Sequence, residues 1–246
     1  MRAHINGMLR SVLFFALTLS GCAALTTGKP ATYERVVAQF VATVTSAEFV
    51  HHGPSTIVRK WTGPVRYAVI NADPFQAAIV GHNMSVLRAL TGLQVDQVGT
   101  IKQSNFRIVF GTRSELRKFL AATLGNDPSV PVLARSPCFA SLQVTNAGVI
   151  QYAQAGIGKE NRGELMRHCM LEELVQAFGP INDACKFRPS LFCDGPGTHG
   201  TGLTDGDRII MKTLYNPRLK PGMSREQAIP IARKIIAELF ADRSGT

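Results

Sequence analysis

Glu172-Glu173-Leu174-Val175-Gln176-Ala177-Phe178-Gly179-Pro180-Ile181-Asn182-Asp183 is the stretch on which the fold of this chain turns. Its first half continues a helical pattern that begins at Glu164 and is predicted to run to Phe178. Gly179-Pro180 stops it, because proline cannot continue a helix and disfavours helical backbone in the residue before it. At about 100° per residue, Met166, Met170, Leu171, Leu174, Ala177 and Phe178 fall on one apolar stripe. His168, Glu172 and Gln176, four apart, stack along the opposite sector beside Glu173. By composition alone this is an amphipathic helix with a solvated polar face.

Outward from that helix, Phe139–Val144, the turn Asn146-Ala147-Gly148 and Val149–Ala155 read as a hairpin. Arg113–Leu124 reads as a helix closed by Gly125, and Leu93–Val98 and Phe106–Phe110 as strands. Asp73-Pro74 is a helix start, with Asp73 as N-cap, for a helix reaching Thr91 and stopped by Gly92. Trp61–Ile70 reads as a strand with Val65, Tyr67 and Val69 on one face. Val36, Val37, Phe40, Val41 and Val44 recur at helical spacing between Tyr33 and Ser46, before a break at Gly53-Pro54. Towards the C-terminus, Thr204 with Asp207 caps a helix through Leu214, and Ser224 with Gln227 caps a last one to Ala241, kinked at Pro230. No repeat or second domain is apparent. The order predicts an α+β fold: one domain with a mixed twisted sheet, a long motif-bearing helix and a C-terminal helical part.

Apolar residues make up 45% and charged residues 18%, which excludes a disordered or collagen-like chain, and the net charge is +10. Residues 1–21 read as a signal peptide: Arg2 and Arg10, then an apolar run from Ser11 to Leu19 that is too short to span a bilayer. Leu19-Ser20-Gly21-Cys22 matches the bacterial lipobox, which implies cleavage after Gly21 and lipidation of Cys22. A tether (22–31), an N-terminal helical segment (32–60) and the main domain (61–246) would follow. Ala23, where Asp would retain the protein in the inner membrane, favours a periplasm-facing outer-membrane lipoprotein, with the inner membrane as the alternative. The expected partners are the membrane, through the anchor, and an envelope protein, peptide or wall polymer. No nucleic-acid motif accompanies the charge.

Four cysteines then remain, and in an oxidising compartment they suggest two disulfides with three connectivities open. Cys185 and Cys193 flank a short segment and read as a local clamp, leaving Cys138 for Cys169. The rival is a zinc site of cysteines with His168 or His199, but no CxxC pair supports it.

The spacing Glu172-Glu173-x-x-Gln176-x-x-Gly179-x-x-Asn182 resembles the metzincin motif HExxHxxGxxH. In that motif two His one helical turn apart and a third beyond the glycine hold zinc, and the Glu activates water. The resemblance puts Glu172, Gln176 and Asn182 at the ligand places and Glu173 at the base, and retains Gly179. The part from Ser190 to Tyr215 resembles the matrixin C-terminal region, with Phe192 where the methionine of its turn would lie. More closely, Cys169-x-x-Glu172-Glu173-x-x-Gln176-Ala177-x-Gly179, Asn182-Asp183, Leu203-Thr204-x-x-Asp207 and Leu214-Tyr215-x-Pro217-Arg218 resemble a bacterial family, domain of unknown function 2927, with no activity to carry over.

All three imidazoles of the zinc motif are replaced. One carboxylate and two neutral amides make a poor zinc set, so neither a metal nor a cofactor is expected. The reading is therefore a degenerate, zincin-like binding or scaffolding domain. Glu172 and Gln176 would bond the backbone of the 182–194 turn, Asn182 and Asp183 would cap or close it, and the disulfides would staple the same region. The rival is a hydrolase with Glu173 as general base and an atypical metal site of Glu172, His168 and His199, the last in the loop Gly195–Gly202.

Overall fold

A computed structural model describes residues 29–46, 56–193 and 200–244. Cys22 and His199 lie outside the described residues, as do the signal peptide and the Gly53-Pro54 break. The elements are α1 (Tyr33–Val44), β1 (Val65–Ile70), α2 (Pro74–Thr91), β2 (Val95–Gln97), β3 (Phe106–Gly111), α3 (Arg113–Leu124), α4 (Val130–Leu133), β4 (Cys138–Val144), β5 (Ile150–Gly158), α5 (Gly163–Gln176), α6 (Asp205–Tyr215) and α7 (Arg225–Ser244). The strands form one mixed sheet in the order β2-β1-β3-β5-β4. Its first four members are parallel, and β4 runs antiparallel to β5 at the edge. This is the expected α+β domain.

Local chemistry sets most boundaries. Asp73 and Gln76, Thr112 and Glu115, and Thr204 and Asp207 each form a reciprocal capping box. Gly92 closes α2 in the left-handed conformation. The last helix starts at Ser224 with Gln227, as read, and Pro230 lies inside it. The first strand is shorter than expected, starting at Val65 rather than Trp61. Pro64 has no N–H for a ladder, and its carbonyl takes the Asn105 side-chain amide. Trp61 leaves the sheet and its indole N–H reaches the Ala177 carbonyl, 3.0 Å away.

The two sheet faces are unequally covered. Phe106, Ile108 and Phe110 of β3, with Ala153, Ala155 and Ile157 of β5, meet α1, α2, α5, α6 and α7 in a core that runs from Val36 to Ile236. Behind the sheet, Val109 and Phe139 meet Leu116, Leu120 and Ala134 in a much smaller cluster under α3 and α4.

The solvated polar face expected of the motif helix is not there. Every residue of α5 from His168 to Gln176 is buried. The helix lies between the sheet and the other helices, so its polar side chains face protein and a cleft rather than bulk water. The motif helix is thus an internal helix rather than the surface helix expected from its polar row.

Candidate functional site

A cleft of about 660 Å³ runs along β4. One wall is α5 and the turn after it, through Glu172, Glu173, Gln176, Asn182 and Asp183; the other comes from Thr123 to Pro137. Both disulfides follow the expected pairing. Cys138–Cys169, with 5.8 Å between Cα atoms, ties the start of β4 to α5. Cys185–Cys193, with 4.6 Å, closes the loop beyond the turn.

The residues at the motif positions come together, and the structure gives each a bonding partner. Gln176 donates its amide to the Asp183 carboxylate at 2.7 Å, joining helix to turn. Asn182 donates to the Ala42 carbonyl of α1 at 3.1 Å. His168 sets Nδ1 at 3.0 Å from the Gly200 carbonyl and Nε2 at 3.0 Å from Glu172 Oε2. A carbonyl oxygen only accepts, so the contact to Gly200 is one in which Nδ1 donates. The row is expected from the sequence to bond the backbone of the turn; instead Gln176 reaches the side chain of Asp183, and Glu172 Oε2 faces His168. Glu173 is 5% exposed and also lines the cleft.

The end of α5 is fixed by side chains from distant segments. Its last carbonyls need partners: Trp61 donates to Ala177, and the Tyr215 hydroxyl to the Phe178 carbonyl at 2.8 Å. Gly179 has φ +126°, and a Cβ there would lie 2.3 Å from the Arg59 carbonyl oxygen, so both the turn and the close approach require glycine. Lys60, 7% exposed, donates to the Leu214 and Leu219 carbonyls at 3.0 and 2.6 Å. Burial, and then Lys220, push its pKa down to about 8. Asp207 accepts from Ser190 Oγ at 2.7 Å and from the Leu191 and Thr204 N–H groups, pinning the 190–191 turn to α6. Burial raises its pKa against those bonds.

These donors do not suit the zinc of the resembled motif. Glu172, Gln176 and Asn182 bring no imidazole, and both ring nitrogens of His168 are engaged. Ligand-type atoms of Cys138, Glu172 and Glu173 lie within 4.8 Å of one another, but the Cys138 sulfur is in a disulfide and is no thiolate. Sequence reasoning missed Arg59, Asp127 and the exposed side of β4, all of which line the cleft. Asp127 accepts from the Ser129 N–H at 2.8 Å. Burial lowers the pKa of Arg59, 5% exposed. Neither stands in a motif, and only long-range folding brings them to α5.

Fold and site together define an α+β domain whose edge strand borders a cleft floored by buried polar side chains. Residues 33–234 match the family described as Protein of unknown function (DUF2927), and the chain belongs to that family. No curated protein matches it.

Proposed function

We propose that this protein is a non-catalytic binding protein of the bacterial cell envelope, anchored by a lipidated Cys22 and built on a metzincin-like scaffold without its zinc ligands. Its cleft takes an extended peptide segment along β4. The observation that carries this reading is the edge of β4 on the cleft, which no further strand pairs among the described residues. Gly158 donates its N–H to the Pro137 carbonyl at 3.0 Å. In an antiparallel pair, bonding alternates from residue to residue, so Cys138, Ala140 and Leu142 direct their N–H and C=O groups away from β5. An added strand gains affinity from those groups and selectivity from the pockets beside them.

The rival is the hydrolase, favoured by Glu173 at the cleft in the place of the catalytic base. A general base alone contributes roughly 10²–10⁴-fold, little for an amide bond. Hydrogen exchange with a library of extended decapeptides, with products read by mass spectrometry, separates the two. Binding predicts slower exchange at Ala140 and Leu142 and intact peptides. Cleavage abolished by Glu173→Gln would establish the hydrolase instead. Palmitate labelling that disappears in Cys22→Ala tests the anchor.

A further inference from the structure

Where the chain joins the domain, contacts made largely by the main chain bring four basic residues of three separate segments together. The Arg188 N–H donates to the Lys29 carbonyl at 2.7 Å. Arg35 donates to the Pro30 carbonyl at 3.2 Å. Gln39, one turn beyond Arg35 on the same face of α1, accepts from the Lys186 N–H at 2.7 Å. Lys29 and Lys186 are exposed, Arg35 and Arg188 half-buried. None of the four enters an ion pair among the described residues. Glu34 turns instead to Arg233, at 3.2 Å. Asp183 and Asp205 border the patch, since their neighbours Ala184 and Gly206 lie against Gln39 and against Ala31 and Phe187.

We infer that Lys29, Arg35, Lys186 and Arg188 form a docking surface for anionic phospholipid headgroups, which sets the orientation of the domain on the membrane. The inference rests on the lipidated Cys22 proposed above. The steps from Cys22 to Lys29 reach no further than about 25 Å when extended. The anchor therefore holds this patch near the headgroups, and thermal motion brings it inside the Debye length of about 8 Å. Lysine and arginine side chains at such a surface are drawn to acidic lipid. A wall polymer offers similar charge but has no tie to the place where the anchored chain emerges.

The fold gives the docking a consequence for the cleft. α1 starts at the patch, and near its other end the Ala42 carbonyl holds Asn182 of the cleft wall. Lys186 of the patch bonds Gln39, three residues before Ala42, so docking brings this side of the cleft wall towards the membrane surface.

The test is hydrogen exchange on the full protein with vesicles of phosphatidylcholine alone or mixed with phosphatidylglycerol, alongside the mass of the N-terminal peptide. That mass reports whether Cys22 is acylated. The difference between the two vesicle types reports the patch whether or not the anchor is present, so the two ideas fail separately. The expected result is about tenfold slower exchange in 29–36 and 184–190 on the anionic vesicles only, lost at high salt. The double variant Lys186→Glu/Arg188→Glu should abolish it while leaving exchange in the β3 core unchanged. Equal exchange on both vesicle types, or protection that survives the double variant, overturns the inference. So does stronger protection by a soluble anionic glycan than by the vesicles, which would assign the patch to a polymer.

Discussion

The two walls of the cleft are held by different means. The α5 wall belongs to the large core and is further fixed by the Cys138–Cys169 bridge, the Gln176–Asp183 bond and caps from Trp61 and Tyr215. The opposite wall, from Thr123 to Pro137, rests on the small cluster of Leu116, Leu120, Ala134, Val109 and Phe139. Opening a region costs what its buried contacts supply. The lesson is that one wall fixes the position of the polar row, while the other, with the smaller cluster behind it, is the wall that opens more easily.

The sharpest way to break the comparison is Gly179→Ala. The new Cβ would meet the Arg59 carbonyl at 2.3 Å in a backbone region that favours glycine. A loss of at least ~4 kcal/mol is expected by urea unfolding. A loss below about 1 kcal/mol would show that the α5 wall is less constrained than described. Next in size are the disulfides. Replacing both cysteines of Cys138–Cys169 by serine should cost ~4 kcal/mol and those of Cys185–Cys193 ~2.5, because separations of 31 and 8 residues restrict the unfolded chain differently. The reverse order would mean that the bridge from β4 to α5 is dispensable.

Leu120→Ala tests the other wall. It should cost ~2–4 kcal/mol, read chiefly as faster hydrogen exchange in α3 and α4, with α5 little changed. Lys60 supplies a pH signature. Its proton leaves near pH 8 in the folded chain and near 10.4 in the unfolded one. Between these values unfolding takes up a proton, so stability rises with pH, by ~1–3 kcal/mol. Subtracting the curve of Lys60→Met isolates that rise, and a difference that is flat or falls with pH contradicts it. The smallest effect is Gln176→Leu, at ~1–2 kcal/mol, since it removes one bond to a charged group and leaves Asp183 near water.

Much of this was legible in the chain. Asp73-Pro74, and Thr204 with Asp207, mark helix starts because a cap acts over three residues. The hairpin of β4 and β5 follows from alternation and a glycine turn. The burial of α5 did not follow, because a polar row reads the same whether it faces water or a walled cleft. Trp61 was misplaced in a strand for a related reason: its partner, the Ala177 carbonyl, lies 116 residues away. Arg59 and Asp127 carry no local pattern at all.

By itself the sequence determined the family, the order and caps of most elements, and the spacing that places Glu172, Gln176, Gly179 and Asn182 on one helix and its turn. Those properties depend on neighbours within a few residues, where backbone geometry leaves few choices. Only the tertiary structure decided that His168 faces Glu172 and Gly200, that Gln176 joins Asp183 and Asn182 joins α1, and that β4 shares a cleft with Glu172, Gln176, Asn182 and Asp183. Such pairings are set by how the core packs, since a hydrogen bond across the fold depends on where two distant backbones come to rest.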